Sequence, residues 1–176
     1  GYQTMLKEVI DLIDDGMMPE PTVVVAQMGV GAFSAAVASA FAHRPARMLV
    51  GAEPTVADCL TASVEHGGQL TIIEDTPYTS MAGLNCGTPS DVAWETNKAA
   101  FDAFGTVEDA DAEEATRLLH EDWIDAGESG AAGLACLLRW GSELGLTEDD
   151  DVLVFATEGV TDPINFARII GPESDD

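Results

Sequence analysis

The chain has 176 residues, enough for one domain built around a single core. Hydrophobic residues make up 46% and the 17 glycines carry no period, which excludes a disordered, collagenous or repeat protein. Thirty-two acids against seven lysines and arginines give a formal net charge of -25. That surface repels phosphate backbones and excludes nucleic-acid binding as a leading function.

The apolar fraction says that a folded protein lies beneath the acidic coat. Salt screens such self-repulsion within about 3 Å at 1 M, a device of halophilic proteins, so the composition points to a salt-rich cytoplasm. A very soluble mesophilic protein is the alternative. Cys59, Cys86 and Cys136 show no CxxC pairing and no histidine at zinc-ligand spacing, so no metal site is expected. An odd, sparse set fits a reducing compartment, and a Cys59–Cys86 bridge stays open. No apolar run approaches the roughly 20 residues of a membrane span, and no signal peptide opens the chain. It begins at Gly1 with a helical pattern already under way, and reads as cut from something longer.

In chain order, apolar residues at Met5, Leu6, Val9, Ile10 and Ile13 predict a helix over 2–14, closed at Gly16. Residues 22–26 form an apolar, β-branched run that predicts a buried parallel strand. A small-residue helix over 32–43 and a strand over 47–53 complete one strand–helix–strand unit. A helix over 55–65 and an extended stretch over 69–73 follow. Residues 76–89 carry glycine and proline without period and predict a long loop of functional type. Helices over 91–103 and 108–120 flank a short strand over 104–107. A helix over 127–144, a buried strand over 152–155 and a last helix from Asp162-Pro163 end the chain. The alternation predicts an α/β fold, an open and mainly parallel sheet with helices on both faces, and no second domain within residues 1–176.

The sharpest local feature is the turn Gln27-Met28-Gly29-Val30-Gly31-Ala32-Phe33, between a strand and a helix. Glycines admit a ligand close to the backbone, and the helix start offers free N–H groups at the positive dipole end. In so acidic a chain, a neutral backbone cradle is also a way to hold an anion. A tight turn without a ligand fits the same residues. No GxxxxGK[ST] motif occurs, which argues against a nucleotide-hydrolysing loop. A dinucleotide site is a rival: Gly29-x-Gly31-x-x-Ser34 lacks the third glycine, yet Glu53 ends the next strand where a ribose-binding acid belongs. Glu128, at a helix start, and Thr157, after a strand, belong at the same carboxyl edge of the sheet. Each fits a plain cap or turn role equally well.

An ordered series of motifs carries a resemblance. Gly1-Tyr2-Gln3-Thr4-Met5, Gln27 to Phe33, Glu53-Pro54 with Ala57-Asp58-Cys59, and Met81 to Gly87 with Trp94-Glu95 come first. Gly127-Glu128-Ser129-Gly130-Ala131 and Thr157 to Asp162 complete it. Together they resemble diaminopropionate ammonia-lyase, a pyridoxal 5'-phosphate enzyme of fold type II. The resemblance implies a carboxyl-terminal part of that catalytic domain. It implies that Met28, Gly29, Val30, Gly31 and Ala32 hold the cofactor phosphate, that the Thr157 hydroxyl faces the pyridine nitrogen, that Glu128 lies near the ring, and that the loop with Met81 to Gly87 walls the site. The implied reaction is α,β-elimination of 2,3-diaminopropionate to pyruvate and ammonia. Its partners are a small amino-acid substrate, the missing amino-terminal part of the enzyme and a second subunit in a homodimer.

One departure stands out. The lysine that anchors the cofactor lies upstream in the family, and neither Lys7 nor Lys98 sits in its motif. The chain alone is therefore expected to be inactive, with no catalytic residue of its own. The alternatives are a non-catalytic remnant or binding module on this fold, a serine/threonine dehydratase-like enzyme, and the dinucleotide-binding domain.

Overall fold

A computed structural model describes residues 1–46 and 48–171. The first helix, α1 (Tyr2–Asp14), buries Leu6 and Ile13 and ends before Gly16, whose φ of +70° suits glycine. Then come β1 (Val23–Gln27), α2 (Ala32–Phe41), β2 (Met48–Pro54) and α3 (Cys59–Glu65). A 3₁₀ turn (Ala82–Leu84) interrupts the long loop ahead of α4 (Asp91–Ala100). The chain finishes with β3 (Ala103–Val107), α5 (Asp109–Glu121), α6 (Glu128–Trp140), β4 (Val152–Leu153) and α7 (Pro163–Ile170).

The sheet order is β3-β2-β1-β4, and every pairing is parallel. Side chains alternate along β1, so its two faces feed two cores. Val24 and Ala26 join Leu6, Val37, Phe41, Leu60 and Trp94 on one face. Val23 and Val25 join Ala112, Ala115, Ala131, Ala132 and Ala135 on the other. Helices α1 to α4 thus cover one side and α5 and α6 the other, as an all-parallel sheet requires. The expected α/β fold is the observed one.

The departures are local. Helix α3 starts at Cys59 instead of residue 55, because Pro54 closes β2 and Ala57 N–H bonds Pro54 O at 2.9 Å in a turn. Helix α4 stops at Ala100, since Phe101 is extended and Ala103 already belongs to β3. Helix α6 stops at Trp140, followed by turns that use Gly145 at φ +68°. Strand β4 is two residues long, pairing only Val152 and Leu153 with β1. Arg47, the expected start of the second strand, lies outside the described residues.

Candidate functional site

All four strands point their carboxyl ends at one edge, where open α/β sheets gather ligands. A cavity of about 200 Å³ lies there, lined by Gly29 to Phe33, Gly83, Leu84, Cys86, Ser129, Thr157 and Glu158, with Tyr2 and Gln27.

The floor of the cavity is the turn from β1 into α2. Three of its carbonyls, those of Gly29, Val30 and Gly31, are engaged by the protein. Gly29 O faces Cys59 Sγ at 3.7 Å, and Val30 O accepts from Ser90 N at 2.9 Å. Gly31 O accepts from Ser34 Oγ, Ala35 N and Asn97 Nδ2 at 3.1, 3.0 and 2.9 Å. With the carbonyls pinned, the N–H groups of Gly29, Val30, Gly31, Ala32 and Phe33 meet no acceptor among the described residues. Gly31 holds φ +92°, and a Cβ there would lie 2.5 Å from Asn97 Nδ2. Only glycine fits. A row of unpaired amides at a helix start is an anion cradle.

No described cation helps it. Lys7, Arg44, Lys98, Arg117, Arg139 and Arg168 each pair with an acid of this chain, and none lines the cavity.

The walls come from three further segments. Gly83 N donates to Ser129 Oγ at 3.1 Å, which ties the 3₁₀ turn to the start of α6. Gly127 N donates to Glu158 O at 3.0 Å, so the segment after β4 is stitched to that same helix start. Gly130 is required beneath it, since a Cβ would come within 2.6 Å of Glu158 O. At the lip, Phe33 packs edge-on between Tyr2 and Phe155, with ring centroids 5.1 and 5.4 Å apart.

Of the residues singled out from sequence, Gly29, Val30, Gly31, Ala32 and Thr157 meet at this cavity. Two do not line it. Met28 donates its amide to Ala52 O at 2.7 Å and is fully buried, pressed over Gly51 where any Cβ would collide with its Sδ and Cε. The Glu128 carboxylate accepts from Asn165 Nδ2 of α7, so it faces that helix. Glu53 also has another occupation. It is fully buried and accepts from Leu60 N, Thr61 N and Thr61 Oγ1 at 2.9, 2.7 and 2.6 Å. A carboxylate so engaged at the start of α3 is no ribose ligand, which removes the main support for the dinucleotide reading. Cys59, Cys86 and Cys136 are free thiols, so the bridge left open between the first two is not formed. Burial pushes the thiols of Cys59 and Cys136 up to about 12.

Gln27, Ser129 and Glu158 were not singled out as site residues. Their signal is positional: a polar residue closing the apolar run of β1, and polar residues flanked by glycine at a helix start and a strand end.

Comparison with known proteins decides the family. A sequence model of the family described as "Pyridoxal-phosphate dependent enzyme" matches residues 1–158. The chain belongs to that family. Diaminopropionate ammonia-lyase of Escherichia coli strain K12 is 31% identical over 187 residues, covering 97% of this chain and 46% of that protein. The Salmonella typhimurium enzyme is 28% identical, with 97% and 47% covered. The solved Escherichia coli lyase, in complex with an aminoacrylate–pyridoxal-phosphate azomethine reaction intermediate, superimposes with a TM-score of 0.82 at 31% identity. It covers 96% of this chain, which spans 46% of that one. The chain thus spans about half the length of the curated relatives it matches.

The residues present fit the group that names the family. A phosphate needs several convergent donors, and the turn offers five unpaired amides with no side-chain carboxylate bonded to them. A pyridine ring needs a flat slot and a polar partner for its nitrogen. Gly29, Gly83, Leu84 and Cys86 line one side of the cavity, and Thr157 brings a hydroxyl. Among the described residues, no helix is long and apolar enough to cross a membrane.

Proposed function

We propose that this chain builds the phosphate and ring-nitrogen side of a pyridoxal 5'-phosphate site in an ammonia-lyase that eliminates ammonia from 2,3-diaminopropionate. The single observation that carries the reading is the turn with five unpaired amides, opening into the cavity that Thr157 also lines. The cavity volume of about 200 Å³ falls below the ~300–1,000 Å³ of whole small-molecule sites, as one wall of a cleft does.

When bound, the cofactor supplies an electron sink for loss of the α-proton and the β-amino group. The chain's own residues bind and orient. Amides of Gly29 to Phe33 hold the phosphate by neutral donors, reinforced by the positive end of α2. Thr157 meets the ring nitrogen with a hydroxyl, a neutral partner that leaves that nitrogen unprotonated. Tyr2, Phe33 and the loop bearing Gly83, Leu84 and Cys86 keep water off the ring. Lys7 pairs with Asp11 and Lys98 with Glu95, both away from the cavity. The covalent anchor and the α-proton acceptor therefore come from polypeptide beyond these 176 residues, and free thiols suit a reducing cytoplasm.

Calorimetric titration of the chain with pyridoxal phosphate tests the binding. The expected result is one saturable site, competed by inorganic phosphate and absent with pyridoxal alone. Val30 is exposed at the cavity with ordinary backbone geometry, so Val30→Asp is expected to weaken binding about tenfold or more through charge, with thermal unfolding unchanged. No saturable binding to the unaltered chain overturns the reading. Co-expression with a lysine-bearing segment of the Escherichia coli relative is expected to release ammonia from 2,3-diaminopropionate. Release from serine alone moves the assignment to a dehydratase.

A further inference from the structure

Gln27 closes β1, is 3% exposed, and reaches across to the segment that follows β4. Its Nε2 donates to Phe155 O at 2.9 Å and to Thr157 Oγ1 at 2.7 Å, which uses both amide hydrogens. Phe155 fixes which end of the amide is which. Exchanging its oxygen and nitrogen would set two oxygens 2.9 Å apart with no hydrogen between them. Thr157 Oγ1 is therefore an acceptor toward Gln27, and its own hydrogen must point elsewhere. Among the described residues that hydrogen finds no acceptor. Gln27 Oε1 is itself buried without a donor. A buried acceptor left bare is costly, so the side chain is held there by the two bonds that its nitrogen makes.

A free threonine hydroxyl rotates to donate or accept as its neighbour demands. Here Gln27 Nε2 occupies one of the two acceptor lone pairs and keeps the hydroxyl hydrogen from pointing to that side. We propose that Gln27 is a positioning residue that fixes the Thr157 hydroxyl as a hydrogen-bond donor into the cavity, so that the site selects an aromatic ring nitrogen carrying a lone pair. The inference rests on the cofactor reading above and assigns the residue that sets the polarity of the ring contact. Its consequence is a ring nitrogen kept unprotonated by a side chain that need not touch it.

The test is a thermodynamic cycle with one ring atom as one of its mutations. Binding of pyridoxal phosphate and of its 1-deaza analogue, with C–H in place of the ring nitrogen, is measured on the unaltered chain and on Gln27→Met. The unaltered chain is expected to prefer the nitrogen compound about fivefold or more, the size of one hydrogen bond. In Gln27→Met the preference falls below about twofold. A Gln27 that only ties β1 to the end of β4 lowers both affinities together and preserves the ratio, which overturns the proposal.

Should Gln27→Met fail to fold, the isosteric Gln27→Glu serves. A protonated glutamic acid donates to Phe155 O and accepts from Thr157, turning the hydroxyl hydrogen away from the cavity. The preference is then lost, and the ¹⁵N signal of the bound ring moves to its protonated position. An unmoved signal with the ratio retained is the contrary result. Failure of the unaltered chain to bind either compound defeats the cofactor reading, and this inference with it.

Discussion

Two strand-to-helix turns stand side by side at the carboxyl edge of the sheet, and they treat their amides in opposite ways. After β2, the N–H groups of Leu60 and Thr61 are taken by the carboxyl of Glu53, so the start of α3 carries its own acceptor. After β1, the carbonyls of Gly29, Val30 and Gly31 are engaged and the amides of Gly29 to Phe33 are left without acceptors. The first arrangement is closed and structural. The second is open, its amides presented at the cavity as a helix start presents them to solvent or to an anion. The difference lies in which residue precedes the turn: an acid at 53, and an amide at 27 whose nitrogen is turned to the neighbouring segment.

The comparison is broken most severely by giving the open turn an internal carboxyl as well. Gly31→Asp adds a carboxylate beside the cradle and a Cβ at φ +92°, against Asn97 Nδ2 and Leu60 Cδ2. Loss of measurable pyridoxal-phosphate binding is expected, with a fall of about 1–3 kcal/mol in stability from backbone strain. Calorimetry and denaturant melts read the two effects separately. Retained affinity would remove the turn from the site.

Next in size is removal of the carboxyl from the closed turn. Burial pushes the Glu53 carboxyl up to about 7, partly opposed by its bonds to Thr61 and Leu60. The folded state then holds the Glu53 proton more tightly than the unfolded chain does. That contribution to stability is complete below about pH 4.5 and is lost as pH rises through 7. Glu53→Gln is expected to cost about 1–3 kcal/mol by leaving one amide of α3 facing a donor, and to flatten this pH dependence. Urea melts from pH 4.5 to 8 check the slope. An unchanged slope in the variant assigns the pH dependence to another group. Binding of pyridoxal phosphate, across the sheet edge, is expected to survive.

The smallest effect concerns neither turn. At a net charge of -25, added potassium chloride is expected to raise the thermal midpoint by screening repulsion among the acids. A midpoint that falls with salt would contradict the reading of the acidic coat.

Most of the architecture was legible in the sequence because each element is locally consistent. The span of α1 follows from its apolar stripe, and the strands from β-branched runs ahead of glycine. The errors sit where tertiary contacts override local pattern. The start of α3 yields to Pro54, and β4, at the sheet edge, pairs with β1 only through Val152 and Leu153. At the cavity, the sequence brings Gly29 to Ala32 and Thr157 to one sheet edge, and the structure has them lining one cavity. Met28 and Glu128 stand at the same edge without lining the cavity, because sequence locates a residue at an edge without saying which way its side chain turns. Met28 turned down into the core, and Glu128 turned sideways to Asn165. Gln27 opens the turn that the sequence singles out, but no role is legible for it, because its contact is a carbonyl at Phe155, 128 residues away.

The pairing of every described lysine and arginine with an acid has a consequence for where this molecule can work. A grip built from lysine or arginine weakens in brine, since dissolved ions compete for both partners at long range. Backbone dipoles act only at contact distance, so a cradle made of them keeps its hold on a phosphate in concentrated electrolyte that would strip a cationic pocket bare.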